Sequence, residues 1–164
     1  MGVIGPAGER PVGAEFHVLQ SCLVEDPAEL AERLIASPQF RLRGVQAYAG
    51  HVQHIPRYAD RRAASREGLK QAAAIFNRLR DRCEACTIFS ASGTGTARID
   101  LSVDEVTELQ AGSYALMDAE YLAIESADGS DAPDYRPALT LLATVVSGPH
   151  GRQVTVDAGL KALY

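Results

Sequence analysis

Tryptophan is absent from the 164 residues, aromatic residues make up only 6%, and lysine occurs twice, at Lys70 and Lys161, so that arginine supplies nearly all the positive charge. So little aromatic surface leaves few platforms for stacked bases, and a net charge of -5 provides no basic field for a phosphate backbone. Nucleic acid is therefore not an expected partner. No apolar run approaches the roughly 18 to 20 residues of a membrane-spanning helix, and the Gly- and Pro-bearing start, with Glu9 and Arg10, has no basic stretch followed by an apolar one. The expectation is a soluble, cytoplasmic protein with no membrane attachment. Three cysteines, an odd number in a chain that is 46% hydrophobic, read as reduced thiols rather than a disulfide framework. Cys83 and Cys86 form a single CxxC. It lacks the second ligand pair that structural zinc requires, and it closes a helix where a redox motif would open one.

What is present is a globular composition in which strand-like and helix-like segments alternate. Residues 1–14 read as an irregular leader. An apolar run at 16–24 reads as a strand, and a helix over 27–37 follows, with Asp26 as N-cap, Pro27 at its first position and Glu29 and Glu32 near its positive end. Pro38 stops it, and 40–48 reads as a second strand around Gly44. After a loop with His51, Gln53 and His54, the spacing predicts a long helix over 57–82. Leu69, Ala72, Ala73, Phe76 and Leu79 form its packing face, while Arg61, Arg62, Arg66, Lys70, Arg78, Arg80 and Arg82 mostly fall on wet faces. A third strand at 86–89 hands over to small residues, and a short strand pair is expected around Gly112. An Asp, Ser, Gly and Pro linker at 126–137 separates this part, residues 15–125, from 138–164. There, a strand to Ser147, a turn at 148–151 and a strand at 153–157 read as an antiparallel hairpin.

Two turns could carry chemistry. The run SASGTGT at 90–96 follows a strand, and its small residues let backbone amides converge on an anion while Ser92, Thr94 and Thr96 add hydroxyls. No lysine follows it, and its spacing is not GxGxxG, so phosphate cradle and ordinary flexible loop both remain open. The turn QAGS at 110–113 is equally able to present amides. His51 and His54 lack a third metal ligand at usable spacing and read more readily as solvated or packed histidines. Tyr48 ends a strand, where functional side chains gather but where packing tyrosines also occur. Asp157 and Lys161, four apart, read as a local ion pair.

Read in order, GVQAYAG at 44–50 with Gln53 and His54, GTGT at 93–96, ELQAGSY at 108–114 with Met117, Asp118 and Tyr121, and LLATVVS at 141–147 with DAGLKAL at 157–163 resemble one family. It is the fold-type III pyridoxal phosphate enzymes of the D-threonine aldolase type, related to D-serine dehydratase and more remotely to alanine racemase. The resemblance implies an α/β fold: the C-terminal half of a (β/α)8 barrel, then the opening hairpin of a β-rich domain. It also implies that Ser92, Gly93, Thr94 and Thr96, with Gly112 and Ser113, hold the phosphate of pyridoxal 5'-phosphate, that Tyr48 lies against the pyridine ring, and that Gln46 and His54 face the substrate. The implied reaction cleaves D-threonine or a related D-3-hydroxy amino acid to glycine and an aldehyde, with the cofactor as electron sink and a divalent metal assisting.

The chain also departs from that family. A closed barrel takes about 250 residues. The Schiff-base lysine belongs to an early strand for which nothing before Lys70 offers a counterpart, and the metal-ligating His and Asp belong beyond Tyr164. Ala91 and Ser92 stand where glycines are expected, Ala111 where a proline is expected, and residues 1–23 do not match. The expectation is an internal fragment, inactive alone, whose unpaired strand edges favour a homo-oligomer. The alternatives are a phosphate-ligand-binding or interaction protein derived from the same barrel, a dehydratase- or racemase-like member of the family, and, last, a CxxC metal or redox module.

Overall fold

Val45 pairs with Phe89 and Ala47 with Ala91 across two parallel strands, and these four side chains make one apolar row. That row organises the computed structural model, which describes residues 15–19, 27–130, 133–151, 153–159 and 162. The expected leader at 1–14, the Asp26 cap and Lys161 lie outside the described residues. The elements run β1 (Glu15–Leu19), α1 (Pro27–Ala36), β2 (Arg41–Ala47), α2 (Tyr58–Arg80), β3 (Ile88–Ala91), α3 (Ala97–Asp100), β4 (Glu108–Leu109), α4 (Ala119–Leu122), β5 (Val145–His150) and β6 (Gln153–Val156).

The first four strands form one sheet in chain order, every neighbour parallel. Parallel pairing requires a crossover between strands, and α1 and α2 supply two of them. Their packing faces bury Ala31, Leu69, Ala72, Phe76 and Leu79 against the Val45–Phe89 row, where the rings of Phe76 and Phe89 stack with centroids 5.3 Å apart. Successive strand residues point to opposite faces. Gln46, Ser90 and Glu108, paired across β2, β3 and β4, therefore share the face turned away from these helices. Gly44 lets β2 and β3 approach closely, since a Cβ there would stand 1.7 Å from the carbonyl oxygen of Ile88.

Three expectations need correction. Around Gly112 there is one two-residue strand, β4, and no second; residues 113–115 form a 3-10 turn, because the amides of Ala115 and Leu116 donate back to the carbonyls of Gly112 and Ser113. At the C-terminus, β5 starts only at Val145, takes in Gly148 and pairs antiparallel with β6. Residues 138–144 stay outside it: the Ala138 amide is drawn to the Leu116 carbonyl, and strand-like exchange begins where Thr144 and Asp157 bond. The third concerns Arg61, expected on a wet face of α2; it is 1% exposed. No described helix is long and apolar enough to cross a membrane.

Candidate functional site

Beyond the carboxyl ends of β2 and β3, the place where open α/β sheets bind ligands, three loops converge on a buried polar cluster. From the turn after β2 comes Gln53, 1% exposed. Its Oε1 accepts from the Gly95 amide at 3.1 Å, and its Nε2 donates to Thr96 Oγ1 at 3.1 Å and to the Ala49 carbonyl at 3.3 Å. The loop after β3 lies directly on this residue: a Cβ on Gly95 would be 2.0 Å from the Gln53 carbonyl oxygen, and one on Gly93 would be 2.6 Å from Gln53 Oε1. Ser92 turns the chain at φ 72°, a left-handed conformation that costs a non-glycine residue of the order of 1 kcal/mol. Its hydroxyl repays part of that cost by donating to the Gly93 carbonyl at 3.0 Å and meeting Thr96 Oγ1 at 3.2 Å.

Beneath this loop Asp100 accepts from Ser65 Oγ at 2.5 Å. Burial pushes its carboxyl above the ordinary range, and hydrogen bonds from Ser65, Thr96 and Ser92 pull the other way. Arg61 ties the loops together. Its Nε donates to the Gly95 carbonyl at 2.8 Å, Nη1 to those of Ile55 at 2.6 Å and Pro56 at 3.2 Å, and Nη2 to that of Glu125 at 2.5 Å. Burial lowers its pKa below the ordinary arginine value, against the raising fields of Asp134, Tyr58 and Glu125.

The six residues expected to hold a phosphate divide into two groups. Ser92 and Thr96 spend their hydroxyls inside the buried cluster. Thr94, itself buried, turns instead to the third loop, where its Oγ1 accepts from the Tyr114 amide at 3.0 Å, a bond that does not use its hydroxyl proton. Exposed Gly112 and Ser113 precede Tyr114, and no heavy atom lies within 4 Å of where a Cβ on Gly112 would be. Tyr48, half-exposed, sets its ring edge beside Gly93.

Next to this opening the His54 ring sits 4.4 Å from that of Tyr121, and its Nε2 is 3.5 Å from Glu120 Oε2. Asp118 caps α4 through the amides of Glu120 and Tyr121 and so places both. Burial, then Tyr48 and Asp118, push the Tyr121 phenol up, opposed by a hydrogen bond with Ser113. Gln46 lies on the open sheet face and donates to Gln110 Oε1 at 2.7 Å.

Other candidates fall elsewhere. His51 does not join His54 in a metal set, and no group of three or more His, Cys, Asp or Glu residues able to hold a metal occurs among the described residues. Cys83 and Cys86 close the turn after α2, where the Cys86 amide donates to the Cys83 carbonyl at 2.9 Å. Lys70, on the exposed side of α2, lines an outer groove with Arg66, Glu67 and Asn77, away from the strand ends. Asp157 directs its carboxylate to the Thr144 amide.

Arg61, Asp100 and Glu120 take part in this arrangement, and no motif in the sequence marks them as site residues. For Arg61 a signal existed: it stands four before Ser65 and eight before Leu69, on the stripe that continues to Ala72, Phe76 and Leu79. Its charge masked that position.

No protein-family model matches the chain. It is 40% identical over 160 residues to a D-threonine aldolase of an Arthrobacter species, covering 92% of this chain and 41% of that protein. It is 35% identical over 140 residues to a 3-hydroxy-D-aspartate aldolase of Paracoccus denitrificans strain Pd 1222, covering 84% and 36%. The crystal structure of D-threonine aldolase from Filomicrobium marinum superposes with a TM-score of 0.70 at 32% identity, over 88% of this chain and 41% of that one. The chain thus spans about two-fifths of the length of its relatives, and over that stretch it matches, in sequence and in fold, the D-threonine aldolase and 3-hydroxy-D-aspartate aldolase group.

Proposed function

We propose that this chain carries the phosphate-holding part of a pyridoxal 5'-phosphate site in a D-3-hydroxy amino acid aldolase of the D-threonine aldolase kind. The observation that carries the reading is the meeting of two loops far apart in sequence: Thr94 and the turn at Gly112 and Ser113 are joined by the Tyr114 amide. Neutral hydroxyls and amides of this kind suit a phosphate, and Tyr48 beside Gly93 offers a flat apolar neighbour for an aromatic ring. The residues present fit the phosphate end of the cofactor. No described lysine stands near that opening, so covalent attachment falls to a residue outside the described part.

When bound, the cofactor supplies an electron sink for breaking a bond next to an amino group. Thr94 and Ser113 orient the phosphate, and Gly93 lets the backbone approach. Tyr48 limits where the ring sits. His54, held between Tyr121 and Glu120, presents an imidazole that can take or return a proton at the rim. Gln46 presents an amide on the open sheet face. The four parallel strands in chain order support part of a (β/α)8 barrel, with β5 and β6 opening a second, β-rich unit.

The test is titration of the purified chain with pyridoxal 5'-phosphate, with inorganic phosphate and unphosphorylated pyridoxal as competitors, followed by borohydride reduction and mass spectrometry. Binding that phosphate displaces and pyridoxal does not, with no adduct fixed on Lys70, is expected. Equal competition by pyridoxal, or a stoichiometric adduct on Lys70, would overturn the reading.

A further inference from the structure

Gln53 belongs to no assigned group of the site, yet its amide meets the main chain or side chains of nearly the whole 93–96 loop. We propose that Gln53 is the positioning residue of this loop: it holds the Gly95 amide and the Thr96 hydroxyl inward, so that Thr94 alone turns to the ligand. This rests on the reading that the loop receives a phosphate.

A glutamine amide both accepts and donates, and here both functions are used on the same loop. Nε2 donates to Thr96 Oγ1 at 3.1 Å and Oε1 lies 3.5 Å from the same hydroxyl, so both ends of the amide hold Thr96, whose oxygen also meets Ser92 Oγ at 3.2 Å. The Gly93 amide, 3.4 Å from Thr96 Oγ1, is drawn into the same arrangement. At the other end Oε1 takes the Gly95 amide, which would otherwise be a free donor in the loop. The contact is direct as well as hydrogen-bonded, since there is no room for a side chain at Gly95 against the Gln53 carbonyl. The Gln53 amide is in turn fixed by the Gly50 carbonyl at 3.2 Å and its side chain by the Ala49 carbonyl. A cavity of about 20 Å³ between Gln53, Ser65, Ser92, Thr96 and Asp100 leaves space for about one water, too little for the loop to repack.

The experiment compares the full chain with Gln53→Met and Gln53→Glu. Affinity for inorganic phosphate and for pyridoxal 5'-phosphate is measured by calorimetry, each variant taken relative to the unaltered chain at each pH, with thermal unfolding and amide exchange at Gly95 followed in parallel. Gln53→Met is expected to weaken both ligands about tenfold, as the loss of roughly one net hydrogen bond in the loop implies, and to speed exchange at Gly95. Gln53→Glu supplies a conservative rescue. Protonated, its carboxyl accepts from the Gly95 amide and keeps one of the amide's two donors, for Thr96 or Ala49, so binding recovers toward that of the unaltered chain; ionised, it donates to neither, and relative affinity falls as pH rises. A purely structural role would change unfolding without a pH-dependent affinity ratio.

If Gln53→Met does not fold, Gln53→Glu at low pH carries the comparison. Phosphate affinity within about twofold of the unaltered chain in folded Gln53→Met, or a flat ratio for Gln53→Glu, overturns the role of Gln53 alone. Failure of the unaltered chain to bind either ligand overturns the reading of the site, and this proposal with it.

Discussion

Replacing Arg61 by alanine removes three donor groups that together satisfy four main-chain carbonyls, those of Ile55, Pro56, Gly95 and Glu125. These carbonyls come from three separate loops, and no neighbouring side chain is placed to take over all of them. A hydrogen bond from a charged donor contributes about 1.5 to 3 kcal/mol, but removing the cation also relieves its desolvation, so about 1 kcal/mol per carbonyl is the appropriate count. The Pro56 carbonyl keeps the Glu125 amide, so three carbonyls are left unpaired and the expected loss is about 3 kcal/mol. With a urea m-value of about 2 kcal/mol/M, the unfolding midpoint followed by far-UV circular dichroism should fall by about 1.5 M. Lysine keeps the charge but not the planar fork, so Arg61→Lys should fall between the two. Amide exchange should accelerate first around Gly95 and Glu125. A loss below about 1 kcal/mol in Arg61→Ala would refute the reasoning, since Arg61 would then be a surface residue that happens to be covered.

Two further outcomes follow from groups whose protons are displaced by burial. The folded-state pKa of Asp100 lies above its ordinary 3.8, so its favourable contribution is complete below that value and is lost as pH rises through the folded-state value. Asp100→Asn should therefore gain in melting temperature relative to the unaltered chain between about pH 4 and pH 8; a constant difference would refute this. The Cys86 thiol is pushed up to about 12 by burial and by Cys83 beside it. Iodoacetamide at about pH 8 should accordingly label Cys83 well before Cys86 in the folded chain, as read by peptide mass mapping, and equal rates would contradict it.

Much of the fold is legible from local pattern. The alternation of β and α segments, the packing face of α2, the stop at Pro38 and the small-residue loop after β3 all follow from periodicity and turn chemistry, which act within a few residues. The hydroxyls at 92, 94 and 96 show where such reading ends. They look equivalent in sequence, yet the left-handed turn at Ser92 and the amide of Gln53 hold two of them in the cluster, while Thr94, buried as well, turns to the amide of Tyr114. The composition of the turn around Gly112 suits paired strands; its amides go instead to its own carbonyls and to Thr94.

By itself the sequence determined the parallel α/β alternation, the candidate loops and the kinship with the aldolase group, because these depend on short-range spacing and on motifs in a set order. Only the tertiary structure decided which polar residues are structural and which are available. Gln53 and Gly95, Arg61 and Glu125, and Thr94 and Tyr114 are far apart along the chain, and a hydrogen bond between such residues exists only once the strands have brought the loops together.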